Sequence, residues 1–277
     1  MKLILRNIFL TTALLLVFET LYASKVDTVE TFSTVMNKNI KAVVITPDNY
    51  SKDKQYPVIY LLHGASGRNP YADWISKAPN IAALTDAYNL IIVCPDGNPT
   101  SWYFDSVEDP SSKYETYVSN ELVKFIDTHY STRKDRSGRA ITGLSMGGHG
   151  ALYLAFKHQD VYGAAGSMSG GVDIRPFTDR WDIAKRLGTF AQHSERWEQN
   201  TVINMVPLIT SGSLALIIDC GVSDFFFKVN NDLHQKLVDA KINHDYTVRP
   251  GGHSWEYWAN SINYQALFMS RFFNKTK

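Results

Sequence analysis

The chain has 277 residues, of which 44% are hydrophobic and 13% aromatic, and its formal net charge at pH 7 is +1. This length and apolar content suffice for the core of one α/β domain. A near-neutral chain has no electrostatic reason to bind nucleic acid or an anionic membrane, so a small, largely uncharged substrate or a neutral polymer fits better.

The first 23 residues have the layout of a secretory signal peptide. Lys2 and Arg6 precede an apolar run, Ile8–Phe18, and Ala23 suits the position before a cleavage site. The alternative is a membrane anchor, but about eleven apolar residues are too few to span a bilayer. We therefore expect a secreted or periplasmic protein without stable membrane insertion, in which residues 24–277 form a single α/β domain.

Beyond this segment, apolar runs alternate with amphipathic stretches, which is typical of strands and crossover helices in a mostly parallel sheet. An antiparallel pair is predicted within Val29–Ile45, followed by strands at Val58–Leu62, Leu90–Cys94, Ala140–Gly143, Gly163–Met168, Leu214–Asp219 and His244–Arg249. Helices are predicted at Tyr114–His129, Gly148–His158, Asn230–Ala240 and Ile262–Phe273. Residues 172–213 form a long excursion between two strands, which predicts a small helical cap.

A candidate nucleophile lies between a predicted strand and a predicted helix. Gly143-Leu144-Ser145-Met146-Gly147 matches the pattern G-x-S-x-G. The pentad alone is a weak signal, but a strand–turn–helix elbow needs glycines beside the serine because its strained backbone leaves no room for side chains. Ser145 is therefore the predicted nucleophile, at the positive end of a helix. The alternative is an ordinary Gly-rich turn.

A serine hydroxyl needs a base, and the base needs an acid that orients it. His253 follows the last predicted strand on a glycine-containing loop, whereas most other histidines fall in helical or strand patterns and His149 is expected to pack. Asp224 follows a strand by a short turn, and the order Ser145, Asp224, His253 is that of α/β-hydrolases. Asp219 is the competing acid, but at a strand end we expect it to cap or to stabilise a turn.

Attack of a serine on a carbonyl group also needs two amide donors for the developing oxyanion. One is predicted to be the Met146 N–H, directly after the nucleophile. The other is expected from the loop after Val58–Leu62, with Ala65 as first choice and Gly64 as second. His63 is expected to support this loop rather than to act as the base.

The two cysteines are predicted to remain unpaired despite the oxidising compartment that a signal peptide implies. Cys94 and Cys220 end strands that an α/β-hydrolase sheet separates by four spacings, on the order of 19 Å, and a disulfide spans at most about 7 Å. The chain contains neither CxxC nor HExxH, so a metal site has no support in the sequence. We expect no cofactor.

Taken together, the motifs resemble those of the esterase D-like “putative esterase” family over roughly residues 30–273. The segments that carry the resemblance are Leu61-Leu62-His63-Gly64, Pro95-Asp96-Gly97-Asn98, Gly143-Leu144-Ser145-Met146-Gly147-Gly148, Cys220-Gly221-Val222-Ser223-Asp224 and Gly252-His253-Ser254-Trp255-Glu256-Tyr257-Trp258. This family includes S-formylglutathione hydrolases, tributyrin esterases, the feruloyl and acetyl xylan esterases of carbohydrate esterase family one, and the antigen 85 mycolyltransferases. The resemblance implies an α/β-hydrolase fold with helices on both faces of a mostly parallel sheet.

The resemblance also implies functional residues. It assigns Ser145, Asp224 and His253 as the triad and Ala65 and Met146 as the oxyanion donors.

The substrate region is less well defined. The resemblance places Trp102 and Tyr103 near the substrate, and the predicted cap supplies Arg175, Phe177 and Trp181 as candidates for the approach to the nucleophile. For Phe177 and Trp181 the alternative is that they pack the cap onto the domain.

The expected function is hydrolysis of feruloyl or acetyl esters on plant cell-wall polysaccharide such as xylan. Asp224 stands where the mycolyltransferases have glutamate, and His63 where they have aspartate, and both departures favour hydrolysis over acyl transfer. The alternatives are a broad short-chain esterase of the tributyrin type, an acyltransferase, and a catalytically inactive carbohydrate-binding relative. The sequence leaves the acyl group, the alcohol and the oligomeric state open.

Overall fold

The apolar runs form one sheet of eight strands, as seen in a computed structural model that describes residues 25–65 and 67–275. The strands are β1 (Lys25–Ser33), β2 (Lys38–Thr46), β3 (Val58–Leu62), β4 (Ile91–Pro95), β5 (Arg139–Gly143), β6 (Ala164–Met168), β7 (Ala215–Gly221) and β8 (Asp245–Arg249). Their order is β1-β2-β4-β3-β5-β6-β7-β8. The predicted signal peptide lies outside the described residues.

Among the strands of the described residues, only the first two depart from the parallel arrangement. β1 pairs antiparallel with β2, and β2 pairs antiparallel with β4, whereas the remaining pairs are parallel. The predicted leading antiparallel pair and mostly parallel sheet are confirmed. Since the carboxyl ends of the parallel strands share one edge, the loops that follow them can meet there.

Helices cover both faces of this sheet, as predicted. They are α1 (Asp73–Lys77), α2 (Ile81–Tyr88), α3 (Tyr114–Thr116), α4 (Leu122–His129), α5 (Met146–Lys157), α6 (Ile183–Leu187), α7 (Phe190–Gln199), α8 (Phe227–Asp239) and α9 (Trp255–Lys275). Side chains alternate along β3, so that Tyr60 enters the core beneath α4, α5 and α8, and Ile59 enters the core beneath α1, α2 and α9. Each face therefore has its own apolar core.

Two features of the helices differ from the sequence prediction. α1 and α2 were not predicted, because each is short and Pro79 interrupts the apolar spacing between them. α9 begins at Trp255 rather than near Ile262. Its early start is explained by Ser254, whose hydroxyl accepts the Tyr257 N–H at 3.4 Å and whose carbonyl accepts the Trp258 N–H at 3.1 Å.

The segment 172–213 forms the predicted cap. It contains α6, α7 and two 3₁₀ segments, Arg175–Phe177 and Val202–Leu208. Trp197 of α7 is fully buried, and the Arg186 guanidinium pairs with the Asp109 carboxylate at 2.6 Å. The cap is therefore held to the domain by both apolar and ionic contacts.

The strand order explains the state of the two cysteines. β4, which carries Cys94, is separated from β7, which carries Cys220, by β3, β5 and β6, so the predicted order is confirmed. Both thiols are free and buried, and burial raises the pKa of each. Neither is suited to act as a nucleophile, because the thiolate is the reactive form.

Candidate active site

The turn between β5 and α5 holds Ser145 in a strained conformation. Its φ of 55° and ψ of −117° lie in a region that non-glycine residues rarely occupy. The Ser145 N–H donates to the Met168 carbonyl at 3.0 Å, which fixes the turn to β6. A Cβ atom on Gly147 would lie only 2.5 Å from the His63 carbonyl oxygen. Glycine is therefore required at this position of the elbow.

Three predicted residues from three loops meet at this elbow. The Nε2 atom of His253 lies 2.9 Å from the Ser145 hydroxyl oxygen, and its Nδ1 atom lies 2.8 Å from Asp224 Oδ2. Asp224 Oδ1 accepts the Phe226 N–H at 2.8 Å, which orients a side chain that is 0% exposed. With its Nδ1–H donated to the carboxylate, the imidazole has Nε2 free to accept the serine proton.

Asp219, the competing acid, does not contact His253. Its buried carboxylate accepts hydrogen bonds from Tyr257, Ser261 and Gln265 of α9. The expected capping or turn role of Asp219 is therefore wrong, because its side chain points into the core between β7 and α9 rather than toward a nearby backbone.

The loop after β3 lies beside Ser145. Met146 is the first residue of α5, so its N–H has no acceptor within the helix. Ala65 lines the same cavity as Ser145. A Cβ atom on Gly64 would lie 3.1 Å from the Ser145 Cβ, which shows how closely this backbone approaches the elbow.

His63 supports this loop from within. Its Nδ1–H donates to the Gly64 carbonyl at 2.7 Å, and its Nε2 accepts the Gly97 N–H at 2.7 Å. Burial lowers the pKa of His63, so the ring is held neutral in the tautomer that these two contacts require. It connects the loop after β3 to the loop after β4.

A cavity of about 430 Å³ opens above the serine. Its lining includes the rings of Trp181, Phe225, Trp255 and Trp258. Trp181 and Phe225 stack at a centroid distance of 5.8 Å and an interplanar angle of 20°. Such walls present flat apolar surface to a planar group.

One ion pair stands among these aromatic rings. Lys77 lies 3.0 Å from the Asp73 carboxylate, and its ammonium group lies 5.0 Å from the centroid of the Trp255 ring. Both residues line the cavity. The cavity therefore combines apolar walls with a small polar patch.

Of the five predicted substrate residues, Trp181 lines this cavity. Trp102 is 1% exposed, because its indole N–H donates to the Trp181 carbonyl at 3.1 Å and its ring packs on His149. Tyr103 is fully buried, and its hydroxyl donates to the His63 carbonyl at 3.0 Å. Trp102 and Tyr103 thus support the site from beneath and do not face the cavity.

The two remaining candidates also lie away from the cavity lining. Arg175 pairs with Asp173 at 2.7 Å and with Glu198 at 2.8 Å, so its guanidinium is held within the cap. Phe177 packs against Phe226 at a centroid distance of 5.1 Å. For Phe177 the packing alternative is therefore the better description.

Most of the cavity wall was not among the residues predicted from the sequence. Phe225, Trp255 and Trp258 are close in sequence to Asp224 or His253, and aromatic residues beside catalytic positions are a usable signal. Asp73 and Lys77 gave no such signal, since α1 itself was not predicted.

Within residues 25–65 and 67–275, no cluster of three or more histidine, cysteine or acidic side chains is placed to hold a metal ion. Over the same part of the chain, no helix is both long and apolar enough to cross a membrane.

Comparisons with known proteins agree with this geometry. The family described as “Putative esterase” matches residues 33–269. The chain is 27% identical over 260 residues to an acetyl esterase of Caldicellulosiruptor saccharolyticus, covering 87% of this chain and 96% of that protein. It is 34% identical over 236 residues to Esterase Rv1288 of Mycobacterium tuberculosis, covering 76% of this chain but only 51% of that longer protein. A solved ferulic acid esterase superposes with a TM-score of 0.78 at 30% identity, covering 91% of this chain and 99% of its own.

Proposed function

This chain belongs to the “Putative esterase” family and has the α/β-hydrolase fold, and from that premise we propose that it is a secreted serine carboxylesterase acting on feruloyl or acetyl esters of plant cell-wall polysaccharide such as xylan. The resemblance drawn from the sequence motifs is confirmed, and esterase activity follows from the family. The finer substrate assignment is ours.

The proposal rests above all on the two contacts of His253, at 2.9 Å to the Ser145 hydroxyl and at 2.8 Å to Asp224. The Ser145 oxygen attacks the ester carbonyl carbon while its proton passes to Nε2 of the imidazole. Asp224 holds the ring in the required tautomer and stabilises the imidazolium that forms.

The tetrahedral intermediate carries its negative charge on the former carbonyl oxygen. We assign the N–H groups of Met146 and Ala65 as its donors, aided by the positive end of α5. Collapse expels the alcohol, which takes the proton from His253, and leaves an acyl group on Ser145. Water then attacks this acyl-enzyme by the same steps, with His253 again acting as the base.

The walls of the cavity support the substrate class. Trp181 and Phe225 form a flat apolar wall of the kind that suits a phenolic acyl group. The named relatives, an acetyl esterase and a ferulic acid esterase, act on the two acyl groups of the proposal. Secretion, which rests on the apolar run Ile8–Phe18 and its basic residues, would bring the enzyme to an extracellular polymer.

The test is a substrate panel on the purified mature protein, comprising methyl ferulate, acetylated xylan, short p-nitrophenyl esters and tributyrin. We expect the highest kcat/KM with methyl ferulate or acetylated xylan. Ser145→Ala should lower kcat at least about 10⁴-fold on every substrate without unfolding the protein. Turnover confined to tributyrin and p-nitrophenyl esters would overturn the polysaccharide assignment. Activity near wild type in Ser145→Ala would overturn the mechanism.

A second arm separates hydrolysis from acyl transfer, since both pass through the same acyl-enzyme. Added glycerol or sugar alcohol should not divert the acyl group from water. Acylated alcohol as the main product would identify an acyltransferase instead.

A further inference from the structure

We propose that Asp219 is a positioning residue, the central acceptor of a buried polar network that fixes the segments carrying Ser145, Asp224 and His253 relative to one another. The inference rests on the proposed function, because those three residues must act together for it to matter. Asp219 itself touches none of them.

The first part of this network joins β7 to α9. Asp219 Oδ1 accepts hydrogen bonds from the Tyr257 hydroxyl at 3.0 Å and the Ser261 hydroxyl at 2.5 Å. Asp219 Oδ2 accepts one from the Gln265 side-chain amide at 2.7 Å. The three donors occupy successive turns on one side of α9. A single carboxylate thus holds the first three turns of this helix against the sheet.

The second part reaches the strand that carries the nucleophile. Gln265 Oε1 accepts a hydrogen bond from the Thr142 hydroxyl at 2.9 Å. Thr142 lies in β5, just before the elbow that holds Ser145. Gly166 of β6 provides the space for this contact, because a Cβ atom there would overlap Gln265 Oε1.

The third part reaches the strand that leads to the base. Arg249, at the end of β8, places its Nη1 atom 3.6 Å from Asp219 Oδ1 and donates to the Ser261 hydroxyl at 3.5 Å. The chain then turns through Gly251 to His253. A Cβ atom on Gly251 would lie 2.8 Å from Cδ2 of Tyr257, so the Tyr257 ring packs directly on the turn that carries the base.

Each hydrogen bond of the network is donated either to Asp219 or to a residue that itself donates to Asp219. The carboxylate is 0% exposed and has only acceptor atoms, whereas the hydroxyl, amide and guanidinium groups around it donate. Burial raises the pKa of Asp219, and the hydrogen bonds from Ser261 and Gln265 oppose that effect. An asparagine has nearly the same shape but would turn an NH₂ group toward existing donors, so the network could not be satisfied.

Catalysis is sensitive to this network because the triad contacts are short. The imidazole must keep its two nitrogens 2.9 Å and 2.8 Å from its partners on two other loops. A displacement of about 1 Å can lower the rate by about 100-fold. Loosening the start of α9 would move His253 while leaving the cavity able to bind substrate, so kcat should fall more than KM rises.

Three variants test the proposal. Asp219→Asn disrupts the centre, whereas Tyr257→Phe and Ser261→Ala each remove one donor without adding bulk. The matched control is Asp127→Asn. It breaks an ion pair of 2.8 Å with Arg139, which lies at the opposite end of β5 from the elbow. The Arg139 side chain is 5% exposed and the Asp127 side chain 16% exposed. All variants are assayed well below their melting temperatures, with active sites counted by a serine-directed titrant.

We expect kcat per active site to fall about 10- to 100-fold in Asp219→Asn and about 3- to 10-fold in Tyr257→Phe, with KM changing less than about twofold. The acidic limb of the kcat/KM profile, which reports protonation of the base, should shift in both variants. Asp127→Asn should lower the melting temperature without changing kcat or the profile.

The outcomes separate the two proposals. If wild type hydrolyses esters but Tyr257→Phe and Ser261→Ala both match it in kcat and pH profile, Asp219 is merely structural and the inference is overturned. The same two variants decide the matter if Asp219→Asn fails to fold. If the wild type is inactive on all esters, or Ser145→Ala remains active, the proposed function fails and the positioning role fails with it.

Discussion

A carboxylate–histidine pair stands at each end of the nucleophile helix α5. At its start, Asp224 contacts His253 at 2.8 Å, and at its end, Glu115 contacts His158 at 3.0 Å. The two pairs have nearly the same length. They differ in what surrounds them.

At the start of the helix, the second nitrogen of the imidazole faces the Ser145 hydroxyl and an open cavity. At the end, the Glu115 carboxylate also accepts hydrogen bonds from Tyr153 at 2.7 Å and Lys157 at 2.6 Å. The helix dipole favours a developing anion at the first site and the Lys157 cation at the second. The same acid–histidine contact thus lies beside the proposed nucleophile and an open cavity at His253, whereas at His158 it joins elements of the fold.

The comparison predicts very unequal effects on kcat when one carboxylate charge is removed from each pair. Asp224→Asn should lower kcat by about 10³- to 10⁴-fold, because an amide in place of the carboxylate favours the wrong imidazole tautomer and leaves the imidazolium without its counter-charge. The measurement is steady-state kinetics with a p-nitrophenyl ester.

Glu115→Gln is the matched control, since it makes the same chemical change at the other end of α5. It should leave kcat within about twofold of wild type. Comparable losses of kcat in the two variants would show that the two pairs do not differ in function.

Much of the fold could be predicted from the sequence, because it rests on local signals. The apolar run Val58–Leu62 is buried on both faces of the sheet, and it became β3 with the predicted bounds. The start of α9 was missed by seven residues, since its first turn carries Trp255 and Trp258 toward the cavity instead of following the apolar spacing of a core-facing helix.

The candidate site divides in the same way. Ser145, Asp224 and His253 follow strand ends, and a parallel sheet brings such positions to one edge. The G-x-S-x-G pentad, the glycine-containing loop before His253 and the chain order therefore sufficed to propose them. The cavity wall depends on how side chains turn after the backbone is placed. Trp102 was assigned to the substrate, yet its indole donates to the Trp181 carbonyl and its ring is buried. The spacing of residues in the sequence does not show which way the Trp102 side chain is rotated.

The cavity wall sharpens the comparison, because the first pair stands directly beside it. Phe225→Ala removes a ring that is 53% exposed, stacks on Trp181 and contacts His253 at a tilt of 39°. We expect kcat/KM for methyl ferulate to fall about tenfold relative to that for a p-nitrophenyl acetate ester, since a planar acyl group loses more stacking than an acetyl group does.

Val222→Ala is the control for this change, because Val222 lies in the same turn and is 47% exposed, but does not line the cavity. Its ratio of feruloyl to acetyl kcat/KM should match wild type. An unchanged ratio in Phe225→Ala would show that the aromatic wall does not determine the preference for a feruloyl over an acetyl group.

Glu115→Gln should have the smallest effect on turnover. The contribution of the Glu115 carboxylate should appear instead in the pH dependence of the free energy of unfolding. Burial alone would raise the pKa of Glu115, but hydrogen bonds from His158, Lys157 and Tyr153 outweigh it and lower the pKa to about 2 from its ordinary value of 4.5. A carboxyl group with a lowered pKa in the folded state stabilises that state above pH 4.5, and the contribution is lost as the pH falls toward 2.

The difference in unfolding free energy between wild type and Glu115→Gln should therefore be largest near pH 7, at most about 3 kcal/mol, and should shrink as the pH falls to 3. Urea titrations at the two pH values measure it. Glu30→Gln is the control, because Glu30 forms only an exposed pair with Lys41 at 3.8 Å, which contributes little. An equal difference for Glu115→Gln at both pH values would mean that Glu115 and its three donors stabilise the end of α5 through packing and neutral hydrogen bonds. The charge of the Glu115 carboxylate would then not be what distinguishes this pair from the pair beside Ser145.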